Sequence, residues 1–337
     1  MNAFLTYALF TAGVIILVKC GDLFVDGASY FARVTGVPQI IVGATVVSFG
    51  TTLPEIIVSS IAAYDAGRLM KIGLYEKALD KVGMSVGNGI GSVIANTALI
   101  MAVSIIFMPV NVNKGEFFKK AGILILSVVT LWAVTFYTGE LRIWGSLILM
   151  MIFLLFLWEN ISSAKKEKST VEDIPDKDKK SLAKNIFYLI FGAVGIMAGS
   201  HLLVNCGGQI ASRLGVSDAV IGLTAVAIGT SLPELTTTLA AVVKKQPSLS
   251  VGNIIGANII DIVLILPISS FVYSSALPIS RQNALIDFPV CILVTLTALL
   301  PALMLKKFRR WQGVVLIIIY SIYIAAVCYM QRVQLQV

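Results

Sequence analysis

Gly50-Thr51-Thr52-Leu53-Pro54-Glu55 returns as Gly229-Thr230-Ser231-Leu232-Pro233-Glu234, each copy inside a long apolar run. Proline removes a helical hydrogen bond, and a carboxylate resists leaving water, so side by side in hydrocarbon they are an expensive arrangement. Occurring twice, 179 residues apart, they divide the chain into two halves that share one cation site.

The repeat extends outward from these hexapeptides. Residues 36–55 align without gaps to residues 215–234, with ten of twenty positions identical. A second block follows in each half: Gly87-Asn88-Gly89-Ile90-Gly91-Ser92-Val93-Ile94-Ala95-Asn96 matches Gly252-Asn253-Ile254-Ile255-Gly256-Ala257-Asn258-Ile259-Ile260-Asp261.

The solvent for this fold is lipid. Apolar residues make up 57% of the 337 and charged residues 13%, where a soluble chain carries about 25% charge. Apolar runs long enough to cross about 30 Å of hydrocarbon recur throughout. They lack the two-residue alternation of barrel strands, so spanning helices are expected. Ten are read, at about 3–33, 37–64, 84–109, 119–137, 141–161, 183–213, 217–243, 249–273, 283–304 and 311–331. Equivalent helices are five spans apart, and an odd number reverses direction across the membrane. The expected fold is therefore an all-α polytopic membrane protein of ten transmembrane helices in two inverted five-helix repeats. The first half covers 1–161, with its repeat at about 36–109; the second covers 183–337, with its repeat at about 215–273. Between them, residues 162–182 are charged and aperiodic and read as a solvated linker.

The N-terminal run meets Lys19, Asp22 and Asp26 rather than a small-residue cleavage site, so it reads as a span and not a cleaved signal. A formal net charge of +8 does not point to nucleic acid, because the cations cluster in short loops. With the N-terminus outside, 17 Lys and Arg fall in cytoplasmic connections and 8 in outer ones. The positive-inside rule then places both termini outside and the 162–182 linker in the cytoplasm. Cys20, Cys206, Cys291 and Cys328 stand singly in apolar runs and form neither a metal motif nor a disulfide framework.

The chemistry sits in the repeated blocks. Pro54 leaves the carbonyl of Gly50 without its helical donor, and Pro233 does the same to Gly229. Thr51 and Glu55, four apart, project on one helix face, as do Thr230 and Glu234. Each helix thus offers a carboxylate, a hydroxyl and loosened backbone oxygens. Hard oxygen donors suit Ca²⁺ or Na⁺ and not zinc or copper, and two copies supply the six to eight oxygens that calcium takes. Asn96 and Asp261 occupy equivalent positions on the third and eighth helices, with Ser92 and Ala257 one turn earlier. Gly87, Gly91, Gly252 and Gly256 form small faces for close helix approach, and Asn88, Asn253 and Asn258 read as bonds between helices. Lys19 and Asp22, three apart, are positioned to pair. Asp22 and Asp26 align with His201 and Asn205.

Both blocks, in order and with matching spacing, resemble the alpha repeats of the sodium/calcium exchangers in the cation/calcium exchanger superfamily. The resemblance implies a central site of Glu55, Glu234, Asn96 and Asp261, with Thr51 and Thr230 lining the calcium position. It implies flanking sodium sites that use Thr52, Ser231 and Ser92 and the backbone oxygens of Ser48 and Ala227. Ala257 stands where the family usually has serine, Val93 where it has asparagine and Ser48 where it has alanine. Potassium-dependent relatives typically carry Asp at the place of Asn96, and proton/calcium relatives carry Glu in the GNxxE block, which is missing here. Sodium coupling without potassium is therefore favoured.

Glu55, Glu234 and Asp261 together carry up to three negative charges, which one Ca²⁺ or several Na⁺ neutralise in turn. Mutual exclusion at one site is antiport, with the first and sixth helices moving against a fixed core. The function expected is Na⁺/Ca²⁺ exchange by alternating access, with transported ions, no covalent cofactor, no enzymatic activity, the cell membrane as location and no obligate protein partner. H⁺/Ca²⁺ exchange and K⁺-dependent Na⁺/Ca²⁺ exchange are the nearest rivals. A passive cation channel and an intramembrane aspartyl hydrolase are more remote, since neither needs the doubled acid-proline helices.

Overall fold

The structure is a computed structural model that describes residues 3–111, 114–168, 179–213 and 218–334, some of them without side chains, those of 218–228 included. Its helices are α1 (Ala3–Thr35), α2 (Gln39–Lys71), α3 (Tyr75–Phe107), α4 (Lys114–Phe136), α5 (Ile143–Lys168), α6 (Lys179–Arg213), α7 (Asp218–Val243), α8 (Pro247–Tyr273), α9 (Asn283–Leu305) and α10 (Arg310–Gln334). Among the described residues nine of them, all but α7, are long and apolar enough to cross a membrane. The protein is an all-helical, multi-pass membrane protein.

Two short backbone pairings tie the loops. Glu140–Leu141 (β1) pairs antiparallel with Leu277–Pro278 (β2), which joins the α4–α5 and α8–α9 connections. Asn111 bridges Lys307, joining the α3–α4 and α9–α10 connections.

The helices that bear the second sequence block, α3 and α8, are the most buried spans. Small residues let α8 lie directly on α2. A Cβ on Gly252 would stand 2.4 Å from the carbonyl oxygen of Ile40, and one on Gly256 2.5 Å from the backbone of Ala44. In return a Cβ on Gly43 would stand 2.4 Å from the oxygen of Leu249. No side chain fits there, so the two backbones touch over two turns. The expectation of a small-residue face therefore holds for Gly252 and Gly256. Among the described residues nothing lies within 4 Å of a Cβ on Gly87 or Gly91; their partners by the repeat, Ala219 and Leu223, have side chains outside the described residues.

Residues 65–83 differ from the expected outer loop. Helix α2 continues to Lys71 and α3 begins at Tyr75, so the turn is three residues long. Gly73, at φ +80°, makes it, a conformation open to glycine without steric penalty. The charged stretch 76–81 extends α3, with Glu76, Lys77 and Asp80 exposed. The ends of the 162–182 segment are also helical: α5 runs to Lys168 and α6 starts at Lys179, while residues 169–178 lie outside the described residues.

Candidate ion-binding site

Helices α2 and α7 pass through Pro54 and Pro233 without ending. One residue on, Glu55 and Glu234 are 1% and 0% exposed. Burying a carboxylate this completely is unfavourable unless other groups or ions compensate. The repeat also leaves a local mark on α3 and α8. Each widens into a π-turn at its equivalent polar residue, Asn96–Met101 in one and Asp261–Ile265 in the other. Such turns shift side chains out of helical register and occur often at functional sites.

The four helices are cross-tied through the asparagines of the second block. Asn88 accepts from the Thr230 hydroxyl at 3.1 Å and donates to Ser59 Oγ at 2.9 Å. Asn253 accepts from the Thr51 hydroxyl at 3.4 Å and donates to Thr237 Oγ1 at 3.0 Å. Each half thus holds the other half's threonine in place. Asn258 spends its amide on Thr97, at 2.7 Å. These three asparagines are inter-helix ties, as the sequence reading has them. Ser59, Thr237 and Thr97 were not singled out from sequence. For Ser59 and Thr237 the signal available was a hydroxyl three or four residues beyond each repeated glutamate, on the same face.

The carboxyls of Glu55, Glu234 and Asp261 interact electrostatically, Glu55 with both others and Asp261 with Glu234. Thr52 donates from α2 to Glu234 Oε1 of α7 at 3.2 Å, and Asn96 donates from α3 to Asp261 Oδ2 of α8 at 3.5 Å. Both contacts cross from one half to the other. Around these acids, the buried oxygens with no hydrogen-bond partner among the described residues include both of Glu55, Glu234 Oε2, Asp261 Oδ1, Asn96 Oδ1, Ser92 Oγ and Ser231 Oγ. Each orphaned buried polar group costs about 1–3 kcal/mol, and more if charged. Among the described residues no three His, Cys, Asp or Glu side chains close on one point as a ready metal cage. The donor set is mixed instead, with amide and hydroxyl oxygens beside the acids, a composition suited to hard cations.

The remaining residues are placed as follows. Ser48 is fully buried, gives its hydroxyl to the Thr45 carbonyl at 3.2 Å, and accepts from Thr51 on its own carbonyl at 3.3 Å. Ala227 lies in α7 among the residues whose side chains are not described. Ala257 is fully buried at the position equivalent to Ser92. The pairing of Lys19 with Asp22 is corrected: Lys19 is exposed, and Asp22 and Asp26 both face Lys244 of the α7–α8 turn. His201 bonds Asn205 one turn on, at 2.9 Å. A further buried acid, Asp287 on α9, is held by the Tyr323 hydroxyl at 3.0 Å and the Asn283 amide at 2.7 Å.

A multi-pass helical bundle with acids, amides and hydroxyls buried at the junction of two repeats defines a cation transporter of the exchanger class. The family described as sodium/calcium exchanger protein matches residues 5–161 and 184–329. The chain is 33% identical over 317 residues to an uncharacterized membrane protein of Methanocaldococcus jannaschii, covering 94% of this chain and 96% of that one. It is 30% identical over 365 residues to the sodium/calcium exchanger MaX1 of Methanosarcina acetivorans, covering 96% and 98%. Among solved structures, the sodium-calcium exchanger NCX_Mj soaked with Na⁺ and Sr²⁺ superposes with a TM-score of 0.81 at 31% identity, over 96% of this chain and 99% of that one. The chain belongs to the sodium/calcium exchanger family, whose members carry Na⁺ and Ca²⁺ across membranes in antiport.

Proposed function

We propose that this chain exchanges Na⁺ for Ca²⁺ by alternating access at one site near the middle of the bilayer. The observation that carries the reading is the set of orphaned buried oxygens, drawn from α2, α3, α7 and α8. Seven atoms from six residues of both halves point to a ligand that supplies positive charge and accepts several oxygens at once. Glu55, Glu234, Asn96 and Asp261 form its centre, with Thr51 and Thr230 beside it. Thr52, Ser231, Ser92 and the carbonyls of Ser48 and Ala227 serve the flanking sodium positions. One Ca²⁺ or several Na⁺ compensate the same carboxylates, so the two are held in turn and not together. An amide at Asn96, in place of a further acid, favours sodium coupling that does not require potassium.

The architecture that goes with this function is ten spans in two inverted halves, 1–161 and 183–337, with α7 as the tenth. The loop pairings support it: β1 and β2 are four helices apart and the Asn111–Lys307 bridge spans six. Both intervals are even, as they must be if every helix crosses. The termini then lie outside and the 162–182 linker in the cytoplasm.

The test is isotopic Ca²⁺ uptake in proteoliposomes under imposed Na⁺, K⁺ or H⁺ gradients. Uptake should follow an outward Na⁺ gradient alone and vanish in Glu55→Gln and Glu234→Gln protein of normal yield. Full uptake by either variant, or uptake driven by H⁺ without Na⁺, would end this reading.

A further inference from the structure

Helices α1 and α6 stand apart from those that carry the site. Their buried apolar side chains, among them Leu17, Phe24, Val25 and Ile196, form a cluster separate from the main core. It meets the site-bearing helices at Val42 and Val47 of α2, Ala240 and Ala241 of α7 and Leu249 of α8, and Phe24 and Val204 lie over the glycines Gly50 and Gly229.

One end of α1 is fastened. A Cβ on Gly21 would lie 2.5 Å from the Thr236 methyl of α7, so α1 rests directly on α7 there. Just beyond, the Lys244 ammonium lies 2.7 Å from Asp26 Oδ1 and 3.9 Å from Asp22 Oδ1, and donates to the Asp22 carbonyl at 2.7 Å. One lysine of the α7–α8 turn thus grips two consecutive turns of α1.

The repeat relates this grip to a second place. Adding the 179-residue offset to Gly21, Asp22 and Asp26 gives Ser200, His201 and Asn205 of α6; subtracting it from Lys244 gives Asp65 of α2. The polarity is inverted, with acids on the peripheral helix and a cation on the inner one at the first place, and donors outside an acid at the second. The second grip is unmade. His201 bonds Asn205, and among the described residues Asp65 forms no ion pair. Among the described residues little covers the α2 stripe between them: Leu53, Ile57 and Ile61 are 41%, 52% and 56% exposed. Their α7 equivalents Leu232, Thr236 and Ala240 are half-buried or buried under α1.

We propose that Lys244 with Asp22 and Asp26, and Asp65 with His201 and Asn205, are paired latches that close opposite mouths of the ion site in alternation. The proposal rests on the alternating-access reading above. In the conformation described, the Lys244 latch is shut and the Asp65 latch is open. When α1 and α6 slide, Lys244 releases α1, and the Asp65 carboxylate accepts from the His201 ring and the Asn205 amide. All six residues are positioning residues; none touches the ion.

The test uses a background in which the four native cysteines are serine, and Ca²⁺ exchange in proteoliposomes. Asp26→Cys/Lys244→Cys and Asp65→Cys/His201→Cys pairs are crosslinked with a short thiol reagent. Each crosslink should stop Na⁺-driven Ca²⁺ flux at least tenfold, reduction should restore it, and crosslinking one pair should prevent the other from reacting. Flux through a crosslinked Asp26→Cys/Lys244→Cys protein, no reaction of that pair, or both pairs crosslinked in one molecule would overturn the latches. If a reduced pair is itself silent, Asp26→Lys/Lys244→Asp decides: recovery above either single change supports the latch, and none refutes it. A parent protein without exchange would instead count against the proposed function.

Discussion

Asn253 shows how much of the site rests on residues that need not touch an ion. Its amide oxygen takes the Thr51 hydroxyl and its amide nitrogen supports Thr237, so α2, α7 and α8 meet at one side chain. Asn253→Ala removes both ties between helices, while Thr51 keeps the Ser48 carbonyl and Thr237 those of Pro233 and Glu234 on their own helices, a loss of about 0.5–1.5 kcal/mol for each bond. Thermal melting in detergent should fall by several degrees and Ca²⁺ affinity by about tenfold, with flux reduced and not abolished, unlike the glutamate variants. An unchanged melt and affinity would show that the tie is dispensable. The glutamates, Thr51 and Thr230 were legible in sequence because proline and carboxylate in an apolar run leave few alternatives, and the doubling marks them again. The polar ties were only half legible. An asparagine in a buried helix announces that it needs a partner, but which hydroxyl answers depends on helix packing, and so Ser59 and Thr237 escaped. Lys19 and Asp22 failed for the related reason that spacing along one helix ignores a third group. Lys244, distant in sequence, reaches Asp22 and Asp26 instead.

Among the elements, the α2–α8 crossing fixes the geometry, because contact between bare backbones sets where Ser48 and Thr51 stand relative to Asn253. The Gly252 and Gly256 face was predictable from four-residue spacing of small residues. The π-turns at Asn96 and Asp261 were not, since no residue type in either turn demands one. The α2–α3 connection was misread because Glu76, Lys77, Asp80 and Lys81 are too polar for hydrocarbon; polarity ends a span but does not end a helix that continues beyond the membrane. Gly256→Val tests the crossing. A Cβ at this position would already stand 2.5 Å from the Ala44 backbone, so the helices must part, and flux should be lost together with about 1–3 kcal/mol of stability from overpacking. Gly122→Ala, on the exposed face of α4 with open space around it, is the control, neutral or slightly stabilising through helix propensity. Equal melts for the two proteins would show that the crossing tolerates separation.

For the whole molecule, the informative feature is where the two halves cease to match. The repeat implies a site with a two-fold character, and Glu55 with Glu234, Thr51 with Thr230 and the ties of Asn88 and Asn253 obey it, while Asp261 is answered by the amide of Asn96. Position 92 and its equivalent 257 do not match either: Ser92 presents a buried hydroxyl with no partner among the described residues, while Ala257, fully buried, presents a methyl. In the proposed site, calcium at the centre draws on the glutamates and threonines of both halves and should feel this little. Sodium flanking the centre should feel it strongly, since one flank has a neutral oxygen that the other lacks. A neutral hydrogen-bonding or ligating group is worth about 1 kcal/mol, or about fivefold in affinity. Ser92→Ala should therefore move the external-Na⁺ inhibition curve of Ca²⁺ uptake about fivefold to higher Na⁺ and flatten it, with the Ca²⁺ dependence measured without external Na⁺ nearly unchanged. Ala257→Ser should move the curve the other way and steepen it. If Ser92→Ala shifts the Ca²⁺ curve as far as the Na⁺ curve, the hydroxyl belongs to the centre and the assignment of a separate sodium flank is wrong. If neither variant moves either curve, the asymmetry is a matter of packing alone.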